Sequence, residues 1–202
     1  MPGARLTLDV EGTRRFHGHW CPGLAIGIRV AEVALREIGP HAEDEEVVAI
    51  VETDMCAVDA IQYLTGCTFG KGNLIHRDYG KNAFTFVRRS DGKAIRIVLR
   101  TVAGDEPAPD GQALTQVAGD EQAAPEERER ALRQGRAQAI LERPLEELFE
   151  IEEVDLPIPP PARIHGSVRC AGCGEAVMET RARLLDGEAF CLPCFEARDP
   201  RR

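Results

Sequence analysis

The sequence predicts a domain of mixed helix and sheet over residues 1–103 and a small metal-stabilised module in the last forty residues. Three observations carry this. A proline-initiated helical pattern is followed by a β-branched run, a second helix and a hairpin. An acidic, proline-bearing stretch then interrupts the chain. Finally, two Cys-x2-Cys pairs stand seventeen residues apart near the end.

The lead RLTLDVEGTRRFHGH is short and amphipathic. From Pro22 to Ile38, the apolar positions Ile26, Val30, Val33, Ala34 and Ile38 keep helical spacing, and Gly39-Pro40 stops the helix. After an acidic turn, VVAIVET (Val47 to Thr53) has the β-branched character of a buried strand. A second helix is expected over Ala57 to Leu64, ending at Gly66. Cys67 to Lys81 is rich in glycine and polar residues and reads as an ordered surface loop. AFTFVRR and AIRIVLR flank Ser90-Asp91-Gly92-Lys93, a hairpin pattern.

Residues 104–125 are an excursion rich in Asp, Glu, Ala, Gly and Pro, and 126–143 read as a charged helix with one narrow apolar face. The main domain is taken to run to residue 155. LPIPPPARI, residues 156–164, is a stiff proline-rich spacer, and residues 165–202 form the tail module.

Composition limits the function classes. No apolar run reaches the roughly 18–20 residues that span a bilayer, and the N-terminus lacks a signal-peptide layout, so a cytoplasmic protein without membrane contact is expected. Seven cysteines, an odd number, in such a context suit thiolate metal ligation better than disulfides. The net charge of −9 is concentrated in residues 104–155, which hold fifteen acidic and five basic residues. Neither the main domain nor the tail has a net positive field of the strength that nucleic-acid binding draws on, so that partner is not expected.

Cys170, Cys173, Cys191 and Cys194 have the spacing by which two turns each offer a thiolate pair to one tetrahedral ion. Four thiolates without histidine favour structural zinc, with iron in a rubredoxin-like site as the alternative. In the main domain, Phe16-His17-Gly18-His19-Trp20-Cys21-Pro22 places His17, His19 and Cys21 just before a helix, on one side if the lead is extended. Cys21 and Cys56 stand at expected helix starts, where unsatisfied N–H groups favour a thiolate. Cys67 and His76 add further ligand types, so a second metal ion in this domain is a candidate cofactor. The chain has three lysines against twenty-two arginines, and Lys71 and Lys81 fall in the glycine-bearing segments GKGN and YGKN. An ammonium point charge is the suggested reason for using lysine there.

These segments carry a resemblance. FHGHWCPGLAIGIR, ETDMCAVDAIQYLTGCTFGKGN and RDYGKNAFTFVRR resemble the FmdE family, named after a component of formylmethanofuran dehydrogenase, and the tail resembles the TraR/DksA four-cysteine zinc finger and, more broadly, treble-clef fingers. The resemblance implies an α+β core, frequently dimeric, with the His/Cys motif lining a cleft. It implies His19, Cys21, Cys56 and Lys71 as catalytic candidates, with His17, Cys67 and Lys81 beside them in a cofactor-binding role. The family name points to one-carbon (formylmethanofuran) or molybdenum/tungsten metabolism, with a homodimer or the other components of such an enzyme complex as partners. No pterin or iron–sulfur pattern is present to carry a redox step. Two further functions fit the same residues: a regulatory or adaptor protein whose finger meets a protein or nucleic-acid partner, and a metal carrier or sensor.

Overall fold

The structure is a computed structural model that describes residues 7–100 and 124–198. It divides into two compact units, Met1–Pro161 and Ala162–Arg202. Nearly all of the expected 104–125 excursion lies outside the described residues.

In the first unit α1 (Val10–His17) is started by Asp9, whose carboxylate accepts from the Gly12 amide at 2.8 Å, and ended by Gly18 at φ 96°. The lead is therefore helical up to His17, and the extended geometry that would put residues 17, 19 and 21 on one side is not formed. Helix α2 (Pro22–Glu37) starts at the proline, with Cys21 as its N-cap. Helix α3 (Ala57–Thr65) ends at Gly66, which takes the left-handed conformation at φ 72°.

The sheet has five strands: β1 (Val47–Val51), β2 (Leu74–His76), β3 (Ala83–Arg88), β4 (Ala94–Leu99) and β5 (Phe149–Glu153). Their order is β2-β1-β3-β4-β5. β1 and β2 are parallel, joined through α3, and the other neighbours are antiparallel. The expected hairpin is β3–β4, and Asp91 in its turn accepts from the Arg88 guanidinium at 2.9 Å. β2 breaks the loop expected over 67–81. Helix α4 (Pro125–Glu142) and the single turn α5 (Leu145–Leu148) precede β5.

One face of the sheet buries Val47, Ala49, Val51, Phe84, Phe86 and Ile97 against Val30, Val33 and Ala34 of α2 and Ile61 of α3. A second cluster lies between α2 and α3, built from Cys21, Leu24, Ile28, Ala31, Ala60 and Leu64. The opposite sheet face carries Val48, Val87 and Ala94, against which Val154 and Leu156 pack. Arg89 reaches the same segment by donating to the carbonyls of Pro159 and Pro160. The stiff, proline-rich stretch thus lies as a strap on the sheet as far as Pro160.

The approach of α2 to α3 depends on Gly27, where a Cβ would fall 2.2 Å from the Ala57 carbonyl oxygen. The obstacle is backbone, so it cannot turn aside. Gly27→Ala is expected to lower stability by about 1–3 kcal/mol, the usual range for overpacking, despite alanine's better helix propensity. Urea unfolding reads this as a lower midpoint, and an unchanged or raised midpoint contradicts the contact.

The second unit comprises two hairpins, β6 (Ser167–Arg169) with β7 (Ala176–Met178) and β8 (Arg183–Leu185) with β9 (Glu188–Phe190), followed by α6 (Leu192–Arg198). Among its described residues Phe190 is the one large apolar side chain fully buried, with the Arg198 guanidinium 4.5 Å above its ring.

Candidate functional site

His17, Cys21 and Cys56 converge, each offering one ligand atom within 4.8 Å of the others. The end of α1 delivers His17, the N-cap of α2 delivers Cys21, and the residue before α3 delivers Cys56. Gly23 permits this convergence, because a Cβ there would lie 3.0 Å from Cys56 Cβ. His17 Nε2 is 3.6 Å from Cys21 Sγ. Zinc–nitrogen and zinc–sulfur bonds of about 2.0 and 2.3 Å at a tetrahedral angle place the two ligand atoms about 3.5 Å apart, so the spacing fits a shared ion.

The electrostatics favour the same reading. Cys21 Sγ accepts from the Leu24 amide at 3.3 Å, one of the N–H groups of the first helical turn that have no partner within the helix. Burial, followed by the contact with Cys21, pushes the Cys56 thiol up. His17 Nδ1 lies 2.7 Å from Asp59 Oδ2. A carboxylate only accepts, so Nδ1 donates in this hydrogen bond and Nε2 is the ring nitrogen that faces the sulfurs. Asp59 is not among the residues that the sequence singles out. A signal for it exists, since Asp59 stands three positions after Cys56 and residues so spaced share a helix face.

The other expected residues are placed differently. His19, which follows the left-handed turn at Gly18, is outside the trio. It is exposed and stacks its ring on His17, the centroids 4.5 Å apart. Cys67 is fully buried in the sheet core, where its thiol donates to the Val47 carbonyl at 3.4 Å and burial pushes its pKa up. The Lys71 ammonium donates to the Ala42 and Glu43 carbonyls at 2.8 and 3.4 Å, which ties down the acidic turn before β1. Lys81 is exposed, and its amide pairs with the Glu52 carbonyl at 2.9 Å. Cys67 and Lys71 are therefore occupied by packing, not gathered into the cluster.

In the second unit Cys170, Cys173, Cys191 and Cys194 form the other cluster, again within 4.8 Å of one another. Cys173 and Cys191 sulfurs are 3.9 Å apart, close to the roughly 3.8 Å edge of a tetrahedron with 2.3 Å zinc–sulfur bonds. The knuckle needs Gly172, where a Cβ would sit 2.9 Å from Cys194 Sγ. Amides of Cys191 and Gly172 both point at Cys170 Sγ at 3.3 Å. These hydrogen bonds, that of Cys191 foremost, bring the Cys170 thiol down to about 6. Cys194 is pushed up to about 12, first by its contact with Cys191. Four sulfurs so close cannot all ionise without a cation, which is the condition a divalent ion satisfies.

Both units of the chain match known families. The FmdE family model, described as molybdenum formylmethanofuran dehydrogenase operon, matches residues 16–150, about two thirds of the chain. The chain belongs to the FmdE family. The prokaryotic DksA/TraR C4-type zinc finger matches residues 163–200. A protein of Syntrophus aciditrophicus, described as tungsten formylmethanofuran dehydrogenase FmdE-like, superposes with a TM-score of 0.59 at 28% identity, covering 93% of this chain and 90% of its own. A probable S-adenosyl-L-methionine-binding protein of Archaeoglobus fulgidus is 33% identical over 204 residues, 96% of this chain and 54% of that protein. The chain thus spans about half the length of this curated relative. Among the described residues no helix is long and apolar enough to cross a membrane. The chain is a metal-binding FmdE-family protein with a zinc-binding four-cysteine finger.

Proposed function

We propose that the His17, Cys21 and Cys56 trio holds a second ion, zinc by preference, and that this centre acts on a small organic molecule in one-carbon or molybdenum/tungsten metabolism, as an enzyme or as its accessory protein. The observation that carries the reading is the Asp59–His17 hydrogen bond, which aims Nε2 at two cysteine sulfurs. A carboxylate behind a ligating histidine is the usual support of a working zinc site. With three protein ligands, a zinc ion held here would keep one position open and would supply Lewis-acid polarisation of water or a substrate heteroatom. The protein's own part is to fix the imidazole tautomer through Asp59 and to hold one sulfur by the Leu24 amide. A closed structural site has four protein ligands, and no fourth donor joins this trio among the described residues.

The name of the Archaeoglobus relative adds S-adenosylmethionine to the ligands worth trying. A metal carrier or sensor is the second reading, since two thiolates and one imidazole also suit an ion in transit. Homodimerisation is proposed on the family resemblance, since α4 buries Ala131 and Ala137 and packs against α2 within the chain while Leu132 stays exposed.

Metal analysis of the purified full chain tests the second site: two zinc ions per chain are expected, with the three-ligand ion leaving first under a chelator. One ion per chain after anaerobic purification in zinc-supplemented medium overturns it.

A further inference from the structure

A cavity of about 530 Å³ opens between the Gly18–Trp20 turn and the N-terminal half of α4. Neither metal cluster uses it. Its walls include the guanidinium-bearing Arg14, Arg130 and Arg133, together with His19 and Trp20. Glu126 and Glu129 supply two carboxylates, so the lining residues carry one positive charge in excess, which Glu11 offsets from outside the cavity through its pair with Arg14. Arg14 is paired with Glu11, and Arg133 with Glu129. All four of these side chains are more than a third exposed, and pairs of that kind contribute little and are readily exchanged for a better acceptor.

Trp20 is half-buried against the α2–α3 cluster, which holds its indole in place at the cavity wall. A fixed indole offers a stacking face for a flat ring. Guanidiniums nearby offer forked donors for a phosphate or carboxylate. The volume lies in the usual range of roughly 300–1,000 Å³ for small-molecule sites. His19 connects the cavity with the His/Cys trio, because it lines the one and stacks on His17 of the other.

We propose that this cavity is a binding site for a planar heteroaromatic anion of mononucleotide size, its ring against Trp20 and its anionic group on Arg130 and Arg133. Recognition stands on the cavity alone. Only the further step, that this ligand is the substrate handed to the trio, rests on the core-metal reading above.

The chain contains a single tryptophan, so intrinsic fluorescence reports on this wall directly. The full chain is titrated with AMP, with adenosine as the ring lacking an anion and inorganic phosphate as the anion lacking a ring. AMP is expected to give a saturable change in Trp20 emission that weakens with added salt. Adenosine and phosphate should each bind at least about tenfold more weakly, a loss of about 1.4 kcal/mol or more. The Arg130→Gln/Arg133→Gln double variant should lose at least about tenfold in affinity while keeping its far-UV circular dichroism. Trp20→Phe, followed by equilibrium dialysis, should also bind AMP more weakly.

No saturable change up to about 10 mM AMP overturns the proposal, as does equal affinity for adenosine or in the arginine variant. Zinc measured on the same samples separates the two readings. Absent AMP binding with two zinc ions present sinks the cavity and spares the metal centre. AMP binding with only one zinc ion supports the cavity and sinks the metal centre.

Discussion

Replacing Cys194 with serine removes one zinc equivalent and unfolds residues 162–202, while the first unit keeps its stability. The size of this effect follows from what the small unit otherwise has to fold with. Phe190 is its one large, fully buried apolar residue among those described, and its strands are three residues long. A chain of about forty residues rarely folds on burial alone, whereas structural zinc contributes about 10–16 kcal/mol of apparent binding free energy at neutral pH. Loss of one of four thiolates therefore leaves nothing to oppose the chain entropy. Two readouts follow: hydrogen exchange over 167–198 should rise to that of an open chain, and the thermal transition seen by Trp20, which belongs to the first unit, should stay in place. A shifted Trp20 transition contradicts the division of the chain into two independently stable units.

The second large effect is expected at Cys56. Cys56→Ser removes one of two sulfurs from the core trio, and the protein should purify with a single zinc ion, the one in the finger. Asp59→Asn is the graded companion. It leaves all three ligands but replaces the carboxylate that holds the proton on His17 Nδ1, and loss of such a partner weakens metal affinity roughly 10–100-fold. Competition against a zinc chelator measures both variants. If Cys56→Ser retains two zinc ions, or Asp59→Asn holds its core zinc as tightly as the parent, the centre is not built as proposed.

Much of this is legible in the residues. The proline and glycine boundaries of α2 and α3, the β-branched run of β1, the hairpin of β3 and β4 and the charged helix α4 all stand where the sequence places them. Two strands do not show. β2 is three residues long inside a glycine-rich segment, too short for an alternation to register. β5 reads FEIEE, a string of acidic residues that qualifies as an edge strand because only Phe149 has to be buried. The meeting of His17, Cys21 and Cys56 is legible only in part. Cys21 and Cys56 are identifiable as helix-start cysteines, but the choice between His17 and His19 turns on whether the lead is extended or helical. Asp9 as an N-cap and Gly18 as a terminator are the signals that decide it. Cys67 and Lys71 stand apart from the trio. Their neighbourhood in sequence suggests chemistry, but a buried thiol and a carbonyl-capping ammonium are what the crossing from α3 to β2 needs.

The strap formed by Val154, Leu156 and the Pro159–Pro160 carbonyls has a consequence for where this chain can be divided. It covers Val48, Val87 and Ala94 and satisfies Arg89, so the first unit closes its own sheet before the finger begins. A truncation at residue 155 keeps Val154 but removes Leu156 and the Pro159–Pro160 carbonyls, which uncovers part of a β-rich apolar surface and makes it adhesive. A cut after Pro161 leaves the cover in place, and in evolutionary terms that junction is where a finger could be gained, lost or exchanged without retailoring the domain ahead of it.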